Sequence, residues 1–194
     1  MHKQSALLEE QLRQDEALVL KNNRFGMLIF QISWIFVFLC MIVVNWQLRF
    51  SRNWKPEGTQ EVNFWTGLLA TAILCLSTYL VWRSIQAIRQ DQLSAFLPQW
   101  LGAIGLALLF VGVMFYESWT IAQPETQYAQ VFRLMTGFHM VHALVISVYM
   151  LLVYRNSRRG DYTADHYWAV EAGAKLWYFV LVAWLLFYVV IYWV

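Results

Sequence analysis

Five stretches of this chain, 26–48, 62–82, 92–116, 134–154 and 176–194, contain no Lys, Arg, Asp or Glu. Each is 19 to 25 residues long. About 20 apolar residues in a helix cross the ~30 Å hydrocarbon core of a bilayer. The five stretches take more than half of the 194 residues, so all 14 basic and all 12 acidic side chains crowd into the rest. With 60% hydrophobic residues, this partition excludes a soluble globular domain, a disordered chain and a β-barrel. It predicts an all-α polytopic membrane protein: a five-helix transmembrane bundle over 26–194, preceded by an arm at 1–25.

The charge pattern sets further bounds. A net charge of +2 with scattered basic residues does not point to nucleic acid. Residues 1–25 include Glu9, Glu10, Asp15 and Glu16 and lack an apolar core, so they read neither as a cleaved signal peptide nor as an acid-poor transit peptide. Loops on the N-terminal side carry ten Lys and Arg and those on the other side four, which predicts a cytoplasmic N-terminus and an outside C-terminus. The expected location is a prokaryotic cytoplasmic (inner) membrane. Within the arm, 5–20 has amphipathic spacing, with Leu8, Leu12 and Val19 among Glu, Gln and Arg. Two readings stand for it: a solvated or membrane-skimming arm, and a docking helix for a partner.

Packing expectations follow from residue size and polarity. Trp46, Trp65, Trp82, Trp100, Trp177 and Trp193 lie near span ends, where an amphipathic ring suits the headgroup zone, whereas Trp34 and Trp184 lie deeper. Helices in lipid associate through small residues and polar contacts. Gly102, Gly105 and Gly112, continued by Leu109 and Tyr116, form one such stripe, and Gly67, Thr71, Cys75 and Thr78 form another. Cys40 and Cys75 read as small packing residues on different helices. Pro56, Pro98 and Pro124 fall near helix starts or in loops.

Span four carries the most informative polar residues. At ~100° per residue, Thr136, His139, His142, Ala143 and Ser147 share one arc. Such an arc inside a membrane should face a neighbouring helix or a cavity. The bland reading of the histidines is hydrogen bonding between helices. The sharper one is a haem or metal site, but both histidines lie on one helix, and the other two, His2 and His166, lie outside the spans. Asp and Glu are absent from the middle of every span, so a ligand set is not evident. Glu117 and Glu171 lie at span edges and read either as hydrated interface carboxylates or as contacts to lipid headgroups and neighbouring helices. No nucleophile motif, P-loop or dinucleotide turn occurs, and no catalytic site of its own is expected.

The residues of span four also carry a resemblance. Thr136-Gly137-Phe138-His139 followed by His142 resembles the Thr-Gly-Phe-His-x-x-His motif of subunit III of haem–copper cytochrome c oxidases. Arg155 closes that span as in the family, and Asp165-His166 precedes Glu171-Ala172-Gly173-Ala174, similar to the family's Glu-Ala-Ala-Ala approach. Trp177, Phe179, Val180, Trp184 and Tyr192-Trp193 resemble the last helix, and Arg24-Phe25-Gly26-Met27 through Phe30 and Ser33 resemble the entry to the first common helix. Glu117 also has a counterpart. The likeness covers about residues 24–194, in the short five-helix form. Several positions depart from the family: Trp34 stands where a buried Glu is usual, Tyr178 and Leu181 replace a His and an Asp, Ser147 stands where a Gly is usual, and the second helix lacks the family's Asn-Thr opening and later His. With those partners gone, Tyr178 is the expected new partner for His139 and His142.

The resemblance implies a non-catalytic accessory subunit of a haem–copper terminal oxidase, without redox centres of its own. Haem and copper are expected in partner subunits, the large haem-bearing catalytic subunit foremost, and phospholipid is expected against this chain. Arg155, Glu171, His139, His142, Thr136, Glu117 and Tyr178 are the candidate lipid or inter-helix polar contacts. A quinol oxidase, a nitric oxide reductase or another respiratory assembly is an alternative host. From the residues alone, a small transporter and a membrane haem protein remain open; flux in proteoliposomes and a coloured purified chain would mark them.

Overall fold

The computed structural model describes residues 2–59, 61–164 and 166–193, with side chains from residue 10 onward except Leu12. Asp165, and the side chains of Leu8 and Leu12 in the amphipathic pattern, therefore lie outside the described residues. The described chain is all-helical: α1 (His2–Arg49), α2 (Phe64–Arg89), α3 (Leu93–Thr120), α4 (Gln127–Ser157) and α5 (Trp168–Tyr192). All five are long and apolar enough to cross a membrane.

The helices extend past the charge-free stretches at most ends. Charged side chains at a span end reach the headgroup zone or a local partner and need not break the helix. In α4, Arg133 sits in the second turn and gives its Nε–H to the Ser118 carbonyl at 2.9 Å, so the helix begins well before residue 134. In α5, Glu171 and Lys175 pair at 2.8 Å one turn apart, so that helix starts at Trp168. Caps fix other starts. Asn63 accepts from the Trp65 N–H at 3.0 Å, and Thr126 accepts from the Ala129 N–H at 3.2 Å.

Two units compose the chain, 1–37 and 38–194. The first is helical from residue 2 onward, and the Phe30 and Trp34 rings lie 4.7 Å apart within it. In the second, α2 to α5 close into a ring in which α2 and α4 each pack against both α3 and α5. The last turns of α1 join this ring through buried Phe38 and Asn45 and through Arg49. The short 90–92 turn is tied to the 158–167 loop: Asp91 accepts from the Ala164 N–H at 2.7 Å, and Arg89 donates to the Tyr167 hydroxyl at 3.1 Å.

Several packing expectations are corrected. The glycine stripe of α3 faces the bundle only at Gly102, half-buried with Leu80 of α2 3.2 Å from where its Cβ would stand: Gly105, Leu109, Gly112 and Tyr116 are exposed, and a methyl group at Gly105 or Gly112 would meet nothing within 4 Å. The buried face instead runs through Trp100, Ala103, Ala107, Phe110 and Met114. Alanines there allow the close approach, and the Ser77 hydroxyl of α2 donates to the Ala103 carbonyl at 2.8 Å. Cys40 and Cys75 are exposed and pack into no core. Trp46, Trp65, Trp82 and Trp193 are exposed near helix ends, as expected, but Trp100 and Trp177 are completely buried. Trp100 has an internal partner, since its indole N–H donates to the Met150 carbonyl at 2.9 Å.

Candidate functional site

The polar arc of α4 does face inward: Thr136, His139, Ala143 and Ser147 are buried and His142 is half-buried. Hydroxyls there bond back along their own helix, Thr136 to Phe132 at 2.7 Å and Ser147 to Ala143 at 2.7 Å. Thr136 has only one hydrogen, already given to Phe132. Ser118 of α3 must therefore donate in the 3.0 Å Ser118–Thr136 bond. This bond joins α3 to α4 beside Glu117.

His139 does not form the hydrogen bond between helices that the sequence predicts. His142 Nδ1 lies 2.7 Å from the Phe138 carbonyl of its own helix and must carry the proton that it donates. His139 is 1% exposed, and neither of its ring nitrogens has a hydrogen-bond partner. The rings of Phe38, Phe110, Trp184 and Phe187 surround it, with centroids 5.7 to 6.0 Å away. Phe38 and Phe110 stand almost perpendicular to it, at 85° and 87°. His139 thus packs as an aromatic ring between aromatic rings. Tyr178 does not bond to it, contrary to expectation; it lies half-buried on α5. No group of three His, Cys, Asp or Glu side chains close enough to hold a metal ion occurs among the described residues.

Phe38 is the residue that sequence reasoning missed. It is 3% exposed and meets five rings, those of Phe138, His139, His142, Phe179 and Phe187. The available signal was spacing: Phe38, Asn45 and Arg49, at offsets of seven and four, fall on one face of α1. Asn45 donates to the Met135 sulfur at 3.3 Å and accepts from Arg49 Nε at 3.0 Å, while Arg49 also donates to the Val190 carbonyl.

Glu117 is buried at the end of α3 that abuts the 50–63 loop. One carboxylate oxygen accepts from the Asn63 backbone N–H at 2.8 Å. Nearby, the Tyr128 hydroxyl accepts from the Val62 N–H at 3.2 Å, and the Trp54 carbonyl accepts from the Tyr128 N–H at 3.2 Å. Glu117 therefore pins a loop to a helix end. Its neighbour Ser118 reaches Thr136, so the structure gathers Glu117 and Thr136 into one layer. Arg155 and Glu171 lie at the opposite end of the bundle. Arg155 is exposed and forms no hydrogen bond or ion pair among the described residues, whereas Glu171 pairs with Lys175. The arrangement supplies helix-pinning contacts along its length and ionic groups at its edge, outside a tightly packed aromatic core.

Comparison with known proteins places this architecture in a family. The profile of "Cytochrome c oxidase subunit III" matches residues 7–194. Cytochrome c oxidase subunit 3 of Branchiostoma lanceolatum is 31% identical over 186 residues, 90% of this chain and 70% of that protein. The subunit 3 of Latimeria chalumnae is 30% identical over 186 residues, with the same coverage. That of Anopheles gambiae is 29% identical over 181 residues, 88% of this chain and 68% of that protein. The match spans all five helices and both edges of the polar arc, and this chain belongs to the cytochrome c oxidase subunit III family.

Proposed function

We propose that this chain stabilises the large haem-bearing subunit of a haem–copper terminal oxidase and holds phospholipid at its edge. Membership of the subunit III family supports the coarser statement, an accessory subunit of a haem–copper oxidase that is an integral membrane protein and associates with other oxidase subunits. The finer reading adds a mechanism. Five helices present broad apolar surfaces, and most of the polar side chains between them bond inward, which leaves the outer faces for lipid and partner helices. The proposed lipid contact is Arg155, an exposed guanidinium at the end of an apolar helix with its charge available to a headgroup phosphate. Glu171, with Lys175, borders the same end and would orient a zwitterionic or hydroxylated headgroup. The proposed setting is a prokaryotic inner membrane, with the Arg155 end cytoplasmic as the loop charges predict.

The observation that carries this reading is the family match over residues 7–194. The test is isolation in mild detergent, mass spectrometry of the co-purifying chains and a reduced-minus-oxidised spectrum. A haem-bearing partner with oxygen-reducing activity supports the reading. Nitric oxide reduction or quinol oxidation would assign the chain to that host instead, and a solitary colourless chain from gently solubilised membranes would overturn it. Within the intact assembly, Arg155→Gln should lower retained phospholipid; an unchanged lipid inventory would remove Arg155 from the site.

A further inference from the structure

At the other end of the bundle, near the 50–63 loop, a cleft of about 370 Å³ is lined by Trp46, Arg49, Phe50, Trp54 and Lys55. Two cations and three aromatic rings line it, side chains suited to the level where a span meets the headgroups. We propose that this cleft binds the phosphate ester of an anionic phospholipid, with Arg49 as its principal ligand and the acyl chain lying along α1 below it.

The charge argument comes first. Arg49 donates Nε–H to the Asn45 side-chain oxygen at 3.0 Å and one further N–H to the Val190 carbonyl. Both acceptors are neutral, and Arg49 forms no ion pair with a carboxylate among the described residues. A guanidinium has five N–H donors in a rigid fork. Two are used, and these hold the group in place, so the remaining donors are preorganised, while the nearby Glu61 carboxylate acts on Arg49 through space but is bonded to Lys55. Lys55 is different. Its ammonium pairs with Glu61 at 2.6 Å and lies 4.4 Å from the centre of the Tyr128 ring. The net positive charge of the cleft is therefore that of Arg49, and it matches a singly charged phosphodiester.

The shape argument identifies the source of the phosphate. Trp54 forms a buried wall, 8% exposed, with the Arg49 guanidinium 5.8 Å from its ring centre. Trp46 and Phe50 are exposed, with their rings 6.4 Å apart, at the level where aromatic side chains meet headgroups. Leu39, Val43 and Trp46 follow at offsets of four and three, which puts them on one face of α1, and Phe50 follows in the turn after it. All four are exposed. An apolar track thus leads from the cleft down the span. A free anion uses the cations and gains nothing from that track, whereas a lipid uses both. The inference needs only that the chain spans a membrane and does not depend on which respiratory assembly contains it.

The test uses the intact assembly in nanodiscs of phosphatidylcholine containing phosphatidylglycerol, with retained phospholipid counted by native mass spectrometry. Arg49→Gln should lower phosphatidylglycerol occupancy about tenfold, the effect of losing a charge-assisted hydrogen bond. Lys55→Gln and Trp46→Ala, which leave the Arg49 contacts in place, should each lower it by a smaller factor, and they decide the matter if Arg49→Gln fails to assemble. Excess inorganic phosphate should leave the lipid bound. Displacement of the lipid by phosphate would make the cleft a free-anion site and overturn the lipid assignment. Equal occupancy in wild type and the assembled variants would overturn the site itself. Neither result would alter which haem-bearing chains co-purify, so the proposed function is tested separately.

Discussion

Gly67 offers a sharp test of how α2 and α5 fit together. A Cβ at this position would lie 2.6 Å from Tyr192 Cζ and 2.8 Å from both Cε atoms. Carbon atoms prefer about 3.5–4.0 Å, so the ring would have to retreat by about 1 Å. Its room is limited, because the Tyr188 ring lies 5.1 Å away and the Tyr192 hydroxyl is buried. Overpacking of this kind costs about 1–3 kcal/mol. Gly67 also sits inside α2, where alanine is favoured over glycine by about 0.5–1 kcal/mol once the clash is removed. Gly67→Ala should therefore destabilise the wild type but stabilise the Tyr192→Ala background. The helix preference is common to both backgrounds and cancels in the double-mutant cycle, so the coupling is expected at about 1–3 kcal/mol. Reversible unfolding in mixed micelles, followed by far-ultraviolet circular dichroism, measures each corner of the cycle. Equal effects of Gly67→Ala in the two backgrounds would refute the argument that glycine is required by the Tyr192 ring.

Other expectations follow from single contacts. Ser118→Ala removes a donor from a Thr136 hydroxyl that keeps its bond to Phe132, so it should cost about 0.5–1.5 kcal/mol, whereas Thr136→Val strands the Ser118 donor and should cost more, about 1–3 kcal/mol; the same unfolding assay ranks them. Phe38→Ala should cost about 3–5 kcal/mol and raise hydrogen exchange in 38–49 selectively, and uniform exchange along the chain would contradict its role as the anchor of that segment. The Glu61 carboxyl is held below its usual value, first by the hydrogen bond from Lys55 and then by that residue's charge. Its contribution is therefore present above the ordinary carboxylate range and lost as pH falls through the lowered value. The difference in Tm between wild type and Glu61→Gln should be small, because the pair is exposed, and should vanish on acidification; a difference that persists at low pH would rule out the ion pair as its source.

The helices were legible because lipid imposes a simple rule on composition: charge is excluded for about 20 residues at a time. Their ends were not legible from that rule. Arg133, Glu171 and Lys175 are helical residues with local partners, and a charge-free window stops short of them. The buried faces were legible only in part. The arc of Thr136, His139 and Ser147 points inward because polar atoms avoid hydrocarbon. Gly105 and Gly112 of α3 misled because a smooth helix surface says nothing about which neighbour uses it. Ala103 and Ala107, displaced around the helix from that stripe, provide the close contact within this chain. Trp100 and Trp177 misled for a related reason: an indole near a span end suits the headgroup zone unless the interior accommodates it, as the Met150 carbonyl does for Trp100.

The histidine motif shows where residue identity and residue role separate. Two histidines inside a membrane span read as hydrogen-bonding groups, because leaving a buried polar atom unpaired costs about 1–3 kcal/mol. In this chain His139 is unpaired on both nitrogens and is enclosed by Phe38, Phe110, Trp184 and Phe187. Near-perpendicular rings allow weak N–H to π-face and edge-to-face attraction, which recovers part of that cost. On α5, neither Tyr178 nor Leu181 offers a carboxylate or an imidazole to the arc. Phe38 joins the last turns of α1 to α4 and α5 through ring contacts with His139, His142, Phe179 and Phe187. Inter-helix polar bonds lie elsewhere in the bundle, among them Ser77–Ala103, Ser118–Thr136, Trp100–Met150 and Trp184–Thr71, each 2.8 to 3.0 Å long. A core assembled in this way keeps its ionic groups at its margins. Arg49, Arg155 and the 50–63 loop are therefore the places where substitution should alter what the chain binds, while substitution at His139 should alter how well it packs.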